Sequence, residues 1–235
     1  MSSQRRVIVV GAGLFGLAGA WALSRRGWQV DVLEAGPAPG HEWSGSKGEA
    51  RIFRLGYPEA HYVDMARRGA ALWLVLESAT GRHLLHRTGQ ASLGDPDVLE
   101  AVAGALETAG APAAWLSPAQ ARDRFPLLAT DCPVLFEPES GVLAADECLR
   151  ALCEDGDFEL HTRTRVTEVL EHAGSVAVAT DDRRGLEADV VVLCAGPHSL
   201  GLLGHPGAAS SGTGGSPWAT RWSPSGVPGV WWDTL

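Results

Sequence analysis

The stretch that decides the fold is Val7-Ile8-Val9-Val10-Gly11-Ala12-Gly13-Leu14-Phe15-Gly16-Leu17-Ala18-Gly19-Ala20-Trp21-Ala22-Leu23. Its first four residues are β-branched and apolar without a break, the pattern of a parallel strand buried on both faces. Glycines in a G-x-G-x-x-G spacing follow. Leu14 to Arg26 then has the length of a helix and ends in basic residues before Gly27. Gln29 to Leu33 is a second strand, closed by Glu34. Together these make a β-α-β unit with a right-handed crossover. Each glycine has a physical task in it: Gly11 permits the tight turn, Gly13 lets backbone approach a pyrophosphate, and Gly16, with Ala20 a turn later, lets helix and strand pack closely. The helix start presents unpaired N–H groups and a partial positive charge to phosphates. A carboxylate closing the second strand accepts hydrogen bonds from ribose hydroxyls and repels a 2′-phosphate, so Glu34 favours FAD or NAD over NADP.

Around this unit, 235 residues with 45% apolar and 20% charged side chains suffice for one large domain or two interleaved ones. The net charge of −9 argues against a nucleic-acid partner, whose phosphates are held by basic patches. No run of 18 uninterrupted apolar residues occurs, so no membrane span is expected. Arg5 and Arg6 before the apolar stretch mimic an export signal, but the glycines inside it are explained by the dinucleotide turn. Four scattered cysteines (Cys132, Cys148, Cys153, Cys194) without a C-x-x-C pair fit reduced thiols and a cytoplasmic location. The eight histidines show no ligand spacing, so no metal site is expected.

Farther along, Pro37 to Pro58 is rich in Gly, Ser and charge and reads as loop. Tyr62 to Glu77 is an amphipathic helix with Tyr62, Met65, Ala66, Trp73 and Leu76 on its apolar face. Leu84 to Leu93 reads as strands; Asp95-Pro96 opens a helix that buries Leu99, Val102 and Leu106; Ser117 and Gln120 form a capping box. Val134 to Phe136 is strand-like, and Asp146 is placed as the cap of a helix to about Glu154. Phe158 to Thr180 reads as alternating strands, and Ala188 to Gly196 as a continuously apolar one that rejoins the first sheet. The expected fold class is α/β: a Rossmann-like FAD-binding domain from residues 1–80 and 146–203, interleaved with part of an antiparallel substrate domain at 81–145 and incomplete at the C-terminus. Residues 204–235 form an irregular tail with 7 Gly, 4 Pro, 5 Ser and four of the nine tryptophans, read as the product of a shifted reading frame or truncated gene.

The loop from Ser44 to Arg54 separates FAD from NAD. Arg51 and Arg54 lie three apart, so on a helical turn both guanidinium groups project from one side, suited to a flavin and to a carboxylate. An NAD-dependent dehydrogenase shares the glycine fingerprint but leaves this loop unexplained. Here the chain resembles the monomeric sarcosine oxidase and N-methyltryptophan oxidase group, within the D-amino-acid-oxidase-like FAD oxidoreductases. The resemblance rests on the opening stretch, on G-S-x-G-x-x-R-I-x-R-x-x-Y at Gly45 to Tyr57, on FEPESGVL at Phe136 to Leu143, on His161 to Val169, and on ADVVVLCAGPHS at Ala188 to Ser199. It covers about Val7 to Leu203.

That resemblance implies oxidation of a small amine or N-methyl amino acid by hydride transfer to flavin N5, with oxygen as acceptor. It places the FAD pyrophosphate at Gly11, Gly13, Leu14, Phe15 and Gly16, and the ribose at Glu34 and Ala35. Ser46, Lys47 and Gly48 line the flavin side of the loop, although the family often has histidine where Lys47 stands. Arg51 matches the arginine beside the isoalloxazine ring, where it would stabilise negative charge on reduced flavin. Arg54 matches the arginine that grips the substrate carboxylate, Val166 the residue whose backbone meets the adenine, and Ala195 with Gly196 a cofactor contact after the returning strand. The later part of longer family members supplies a lysine that activates oxygen. Lys47 is the only lysine in this sequence. A catalytically incompetent fragment is the alternative implied.

Overall fold

The computed structural model describes residues 4–41 and 44–203; the tail at 204–235 lies outside them. Strand β1 (Arg6–Val10) leads through the glycine turn into α1 (Leu14–Ser24) and back to β2 (Gln29–Leu33). A short strand β3 (Ala50–Phe53) follows, then the long helix α2 (Ala60–Thr80). The middle of the chain supplies β4 (Leu85–His86), β5 (Gln90–Ser92), α3 (Pro96–Thr108), β6 (Ala114–Leu116), α4 (Pro118–Arg124), β7 (Val134–Glu137) and β8 (Gly141–Ala144). Helix α5 (Ala145–Asp155) and strands β9 (Glu159–His161), β10 (Val166–His172), β11 (Ser175–Thr180), β12 (Gly185–Ala188) and β13 (Val190–Leu193) complete the order, before two short 3-10 turns at Gly196–His198 and Leu200–Leu203.

The first sheet has the order β13-β1-β2-β9 and every pairing in it is parallel. The strand Ala188 to Gly196, expected to return to this sheet, does so: Val7 to Val10 pair with Val190 to Leu193. Both faces of the sheet are covered, which is why Val7 to Val10 of the central β1 are apolar without alternation. Val7, Val9, Val30 and Val32 face a core built with α1, α2 and α5. Ile8, Val10 and Leu33 face a second core with Val166, Val178 and Ala188 of the antiparallel sheet β10-β11-β12. A third core joins α2 to α3 around Val63, Leu99, Val102, Leu106 and Leu135. The remaining sheets are β3-β8-β4 and β5-β7-β6, both antiparallel.

Local chemistry accounts for the starts of α3 and α4. Asp95 accepts the amide of Asp97 at 2.9 Å, and Ser117 and Gln120 close a full capping box. Several expectations change. The stretch 37–58 contains β3, because Ala50 to Phe53 find antiparallel partners in Gly141 to Ala144 about ninety residues on. Helix α2 buries Val63, Ala70 and Leu76, while Met65 lies on its exposed side at 52%. Asp146 is no cap: Ala144 holds that position, and Asp146 sits in the first turn of α5, where its charge suits the helix dipole. Phe158 to Val166 is not one strand. Glu159–His161 extends the parallel sheet beside β2, and the chain breaks direction at Arg163, which has φ 53°.

Candidate functional site

The glycine turn and the acid closing β2 are joined directly. The Glu34 carboxylate accepts the Ala12 amide on Oε2 and the Gly36 amide on Oε1, each at 2.7 Å, with His41 Nε2 at 3.2 Å from Oε1. Glu34 is 6% exposed, so these bonds offset the cost of removing a charge from water. Gly11 adopts φ +104°, and a Cβ there would stand 2.4 Å from the Cys194 carbonyl oxygen. A Cβ on Gly16 would stand 1.8 Å from the Gly11 carbonyl oxygen, so the turn closes only without side chains at both positions. Ala195 thereby lies beside Gly11, its Cα 3.2 Å from that same Cβ position. Burial raises the Cys194 thiol, so it remains uncharged beside the turn.

The loop before β3 reaches the start of α1. Leu14 donates its amide to Ser46 Oγ at 2.9 Å, and a Cβ on Gly13 would come within 3.1 Å of that oxygen. Arg51 does not project from a helical turn with Arg54, because Ala50–Phe53 is extended. Its exposed guanidinium folds back and donates to the carbonyls of Ala50 (2.8 Å), Gly45 (2.9 Å) and Lys47. Gly48, with φ +126°, makes room for it: a Cβ there would meet Arg51 Nη1 at 2.9 Å. Arg54 leaves the end of β3 and lies 4.7 Å above the ring of Tyr57. Strand geometry thus sends the two guanidinium groups to different neighbours, Arg51 to the loop carbonyls and Arg54 to the Tyr57 ring.

Val166 opens β10 and is buried against Ile8, Val10 and Leu33. The Thr164 amide donates to the Glu34 carbonyl at 2.8 Å and the Arg163 amide to that of Gly36, which brings this segment to the edge of the Glu34 carboxylate. Ala35 lies between these two anchored residues and is exposed. Phe15, first turn of α1, is 66% exposed. Gly196 follows Ala195 at the opening of a 3-10 turn. The structure therefore gathers Gly11 to Gly16, Glu34, Ser46 and Ala195 around one turn, with Val166 behind the adjoining strands. Arg51 is tied to the same loop, and Arg54 sits beyond it.

Two groups were not singled out from sequence. Asp31, Glu159 and His161 bring ligand atoms within 4.8 Å of one another. Asp31 accepts from Arg6 Nε at 3.0 Å on Oδ2 and lies 3.1 Å from His161 Nε2 through Oδ1, so both of its oxygens already have partners. The second is Glu137, fully buried beside Gly56; its sequence signals were its place in the FEPESGVL stretch and its closing of the apolar run Val134 to Phe136.

The residues fit a dinucleotide such as FAD. Gly11, Gly13 and Gly16 put no side chain into the turn, α1 carries no acid in its first turn to repel phosphate, and Glu34 Oε2 retains acceptor capacity beyond its one amide.

Comparisons with known proteins agree. The family described as FAD dependent oxidoreductase matches residues 6–225, past Leu203 where the resemblance read from sequence stops. Monomeric sarcosine oxidase from Bacillus sp. (strain B-0618) is 31% identical over 212 residues, covering 86% of this chain and 54% of that protein. Monomeric sarcosine oxidase from Streptomyces avermitilis is 34% identical over 219 residues, covering 88% and 56%. The chain spans about half the length of the curated relatives it matches. Among solved structures, NikD, an unusual amino acid oxidase, superposes with a TM-score of 0.72 at 29% identity, covering 85% of this chain and 53% of that one. L-proline dehydrogenase from P. horikoshii shares the fold, with a TM-score of 0.74 at 20% identity over 85% of this chain and 55% of that one.

Proposed function

Since the chain belongs to the FAD dependent oxidoreductase family, we propose that it binds FAD and serves the oxidation of a small amine or N-methyl amino acid, with oxygen as the final acceptor. FAD supplies the two-electron acceptor when bound; the protein supplies placement and charge. In this reading the amino end of α1 holds the diphosphate between Gly11, Gly13, Leu14, Phe15 and Gly16. Glu34 holds a ribose hydroxyl, Ala35 and the Val166 backbone flank the adenosine, and Ala195 with Gly196 closes the far side of the turn. Ser46, Lys47 and Gly48 line the flavin side, and Arg51 stiffens that loop through its carbonyls while lending positive charge to it. Arg54 receives the substrate carboxylate. No residue is assigned to oxygen activation.

The observation that carries the reading is the direct bond between the Glu34 carboxylate and the Ala12 amide of the glycine turn. It supports a ribose acceptor set beside a phosphate cradle, and sarcosine oxidases are among the relatives. The domain division belongs to the same proposal: residues 1–80 and 146–203 bind the cofactor, and 81–145 contribute to the substrate side. Partners are small molecules, and a cytoplasmic setting is proposed with them. Among the described residues no helix is long and apolar enough to cross a membrane.

The test is a visible spectrum of the purified chain after incubation with FAD and gel filtration. A retained flavin band that anaerobic sarcosine or another amino acid bleaches upholds the proposal. A colourless protein after FAD incubation refutes it.

A further inference from the structure

Glu137 is fully buried at the end of β7, yet two serine hydroxyls rather than a cation hold it. Ser92 Oγ donates to Oε1 at 3.0 Å and Ser140 Oγ to Oε2 at 2.9 Å. A hydroxyl has one proton, so Ser140, having given it to Glu137, is left as an acceptor. It accepts the buried Leu55 amide at 2.9 Å. The relay therefore has one direction: Leu55 N–H to Ser140, Ser140 O–H to Glu137. The next residue rides on the same carboxylate, since a Cβ on Gly56 would stand 2.4 Å from Oε1. Buried carboxylates are costly and persist where their bonds hold something in place. What is held here is the segment Leu55-Gly56-Tyr57, with Arg54 at its start and the aromatic ring under the Arg54 guanidinium at its end.

We propose that Glu137 is a positioning residue for Arg54, acting through Ser140 on the Leu55–Tyr57 turn and so fixing the guanidinium that receives a carboxylate ligand. This rests on the role of Arg54 in the reading above. The β7–β8 connection is suited to the task, because it ties the β5-β7-β6 sheet to the β3-β8-β4 sheet from which Arg54 emerges.

The experiment uses the full chain with Ser140→Ala, Glu137→Ala and Glu137→Gln. Amide hydrogen exchange at Leu55 is read without FAD, and acetate is titrated against the flavin spectrum of the FAD-loaded chain. Ser140→Ala should speed Leu55 exchange and weaken acetate binding, each by about tenfold, with FAD affinity held within about threefold. Glu137→Gln, which keeps an acceptor in the same volume, should recover most of what Glu137→Ala loses. Unchanged exchange at Leu55 overturns the relay. Faster exchange with unchanged acetate affinity overturns the link to Arg54, and a parallel loss of FAD and acetate binding reduces Glu137 to general stability. A wild-type chain that takes up no FAD strikes the functional reading instead, and the exchange arm on the unloaded chain still decides the relay.

Discussion

Replacing Glu34 by glutamine isolates the contact on which the proposed cofactor recognition rests. The carboxylate now accepts two buried backbone amides at 2.7 Å, from Ala12 and Gly36, on different oxygens. A glutamine can offer its carbonyl to one of them and must turn its NH2 toward the other, donor against donor. Leaving one buried N–H unpartnered costs about 1–3 kcal/mol, and weakening the surviving bond from charged to neutral costs about 1 kcal/mol more. With Glu34 only 6% exposed, solvent relieves little of this. The expected loss is about 2–4 kcal/mol in the absence of any ligand, a drop of about 1 M in the urea midpoint for a slope of 2–3 kcal/mol/M. FAD binding, followed by quenching of flavin fluorescence, should weaken by about a further tenfold as the ribose loses a charged acceptor. An unchanged urea midpoint would refute the two-amide accounting. A lowered midpoint with unaltered FAD affinity would show that the ribose sits elsewhere.

One further substitution tests the glycine turn, and two measurements test a buried thiol. Gly16→Ala drives a methyl to 1.8 Å from the Gly11 carbonyl oxygen, against backbone that cannot yield, so FAD content should vanish and thermal stability should fall by about 3 kcal/mol or more; normal flavin content in this variant would sink the turn geometry. Burial, with the charges of Glu77 and Glu147 behind it, pushes the Cys148 thiol up to about 12, whereas Cys132 is exposed. A thiol reagent at pH 8 should therefore label Cys132 fast and Cys148 only after unfolding. Because the folded value lies above the unfolded one, stability held by the buried thiol is complete below about pH 8.5 and declines as pH rises toward 12; rapid native labelling of Cys148 would contradict this.

The caps and helix stripes predicted correctly are those whose cause is local. The caps at Asp95 and Ser117 are satisfied within two or three residues, and the stripe Leu99, Val102 and Leu106 is set by helical period alone. Local spacing misled where tertiary contacts competed. Tyr62 to Glu77 offers apolar residues around more than one face, and α3 and α5 choose Val63, Ala70 and Leu76 while leaving Met65 outside. Arg51 and Arg54 look like neighbours on a turn until β8 pairs with Ala50–Phe53 and extends it. Glu137 gave almost no sign of its surroundings, because its partners Ser92 and Ser140 and the Gly56 backbone come from three separate segments.

The sequence by itself determined the dinucleotide turn, since a strand, three glycines, a helix and an acid act over fewer than thirty residues and their spacing is their geometry. It also marked, through unbroken apolar runs at Val7 to Val10 and Val190 to Leu193, two strands that pair in one parallel sheet. The tertiary structure alone decided where each arginine points, which face of α2 is buried, and that an acid far along the chain grips the segment beside Arg54. Those outcomes depend on pairings between residues about forty to ninety positions apart, which no local period or spacing encodes.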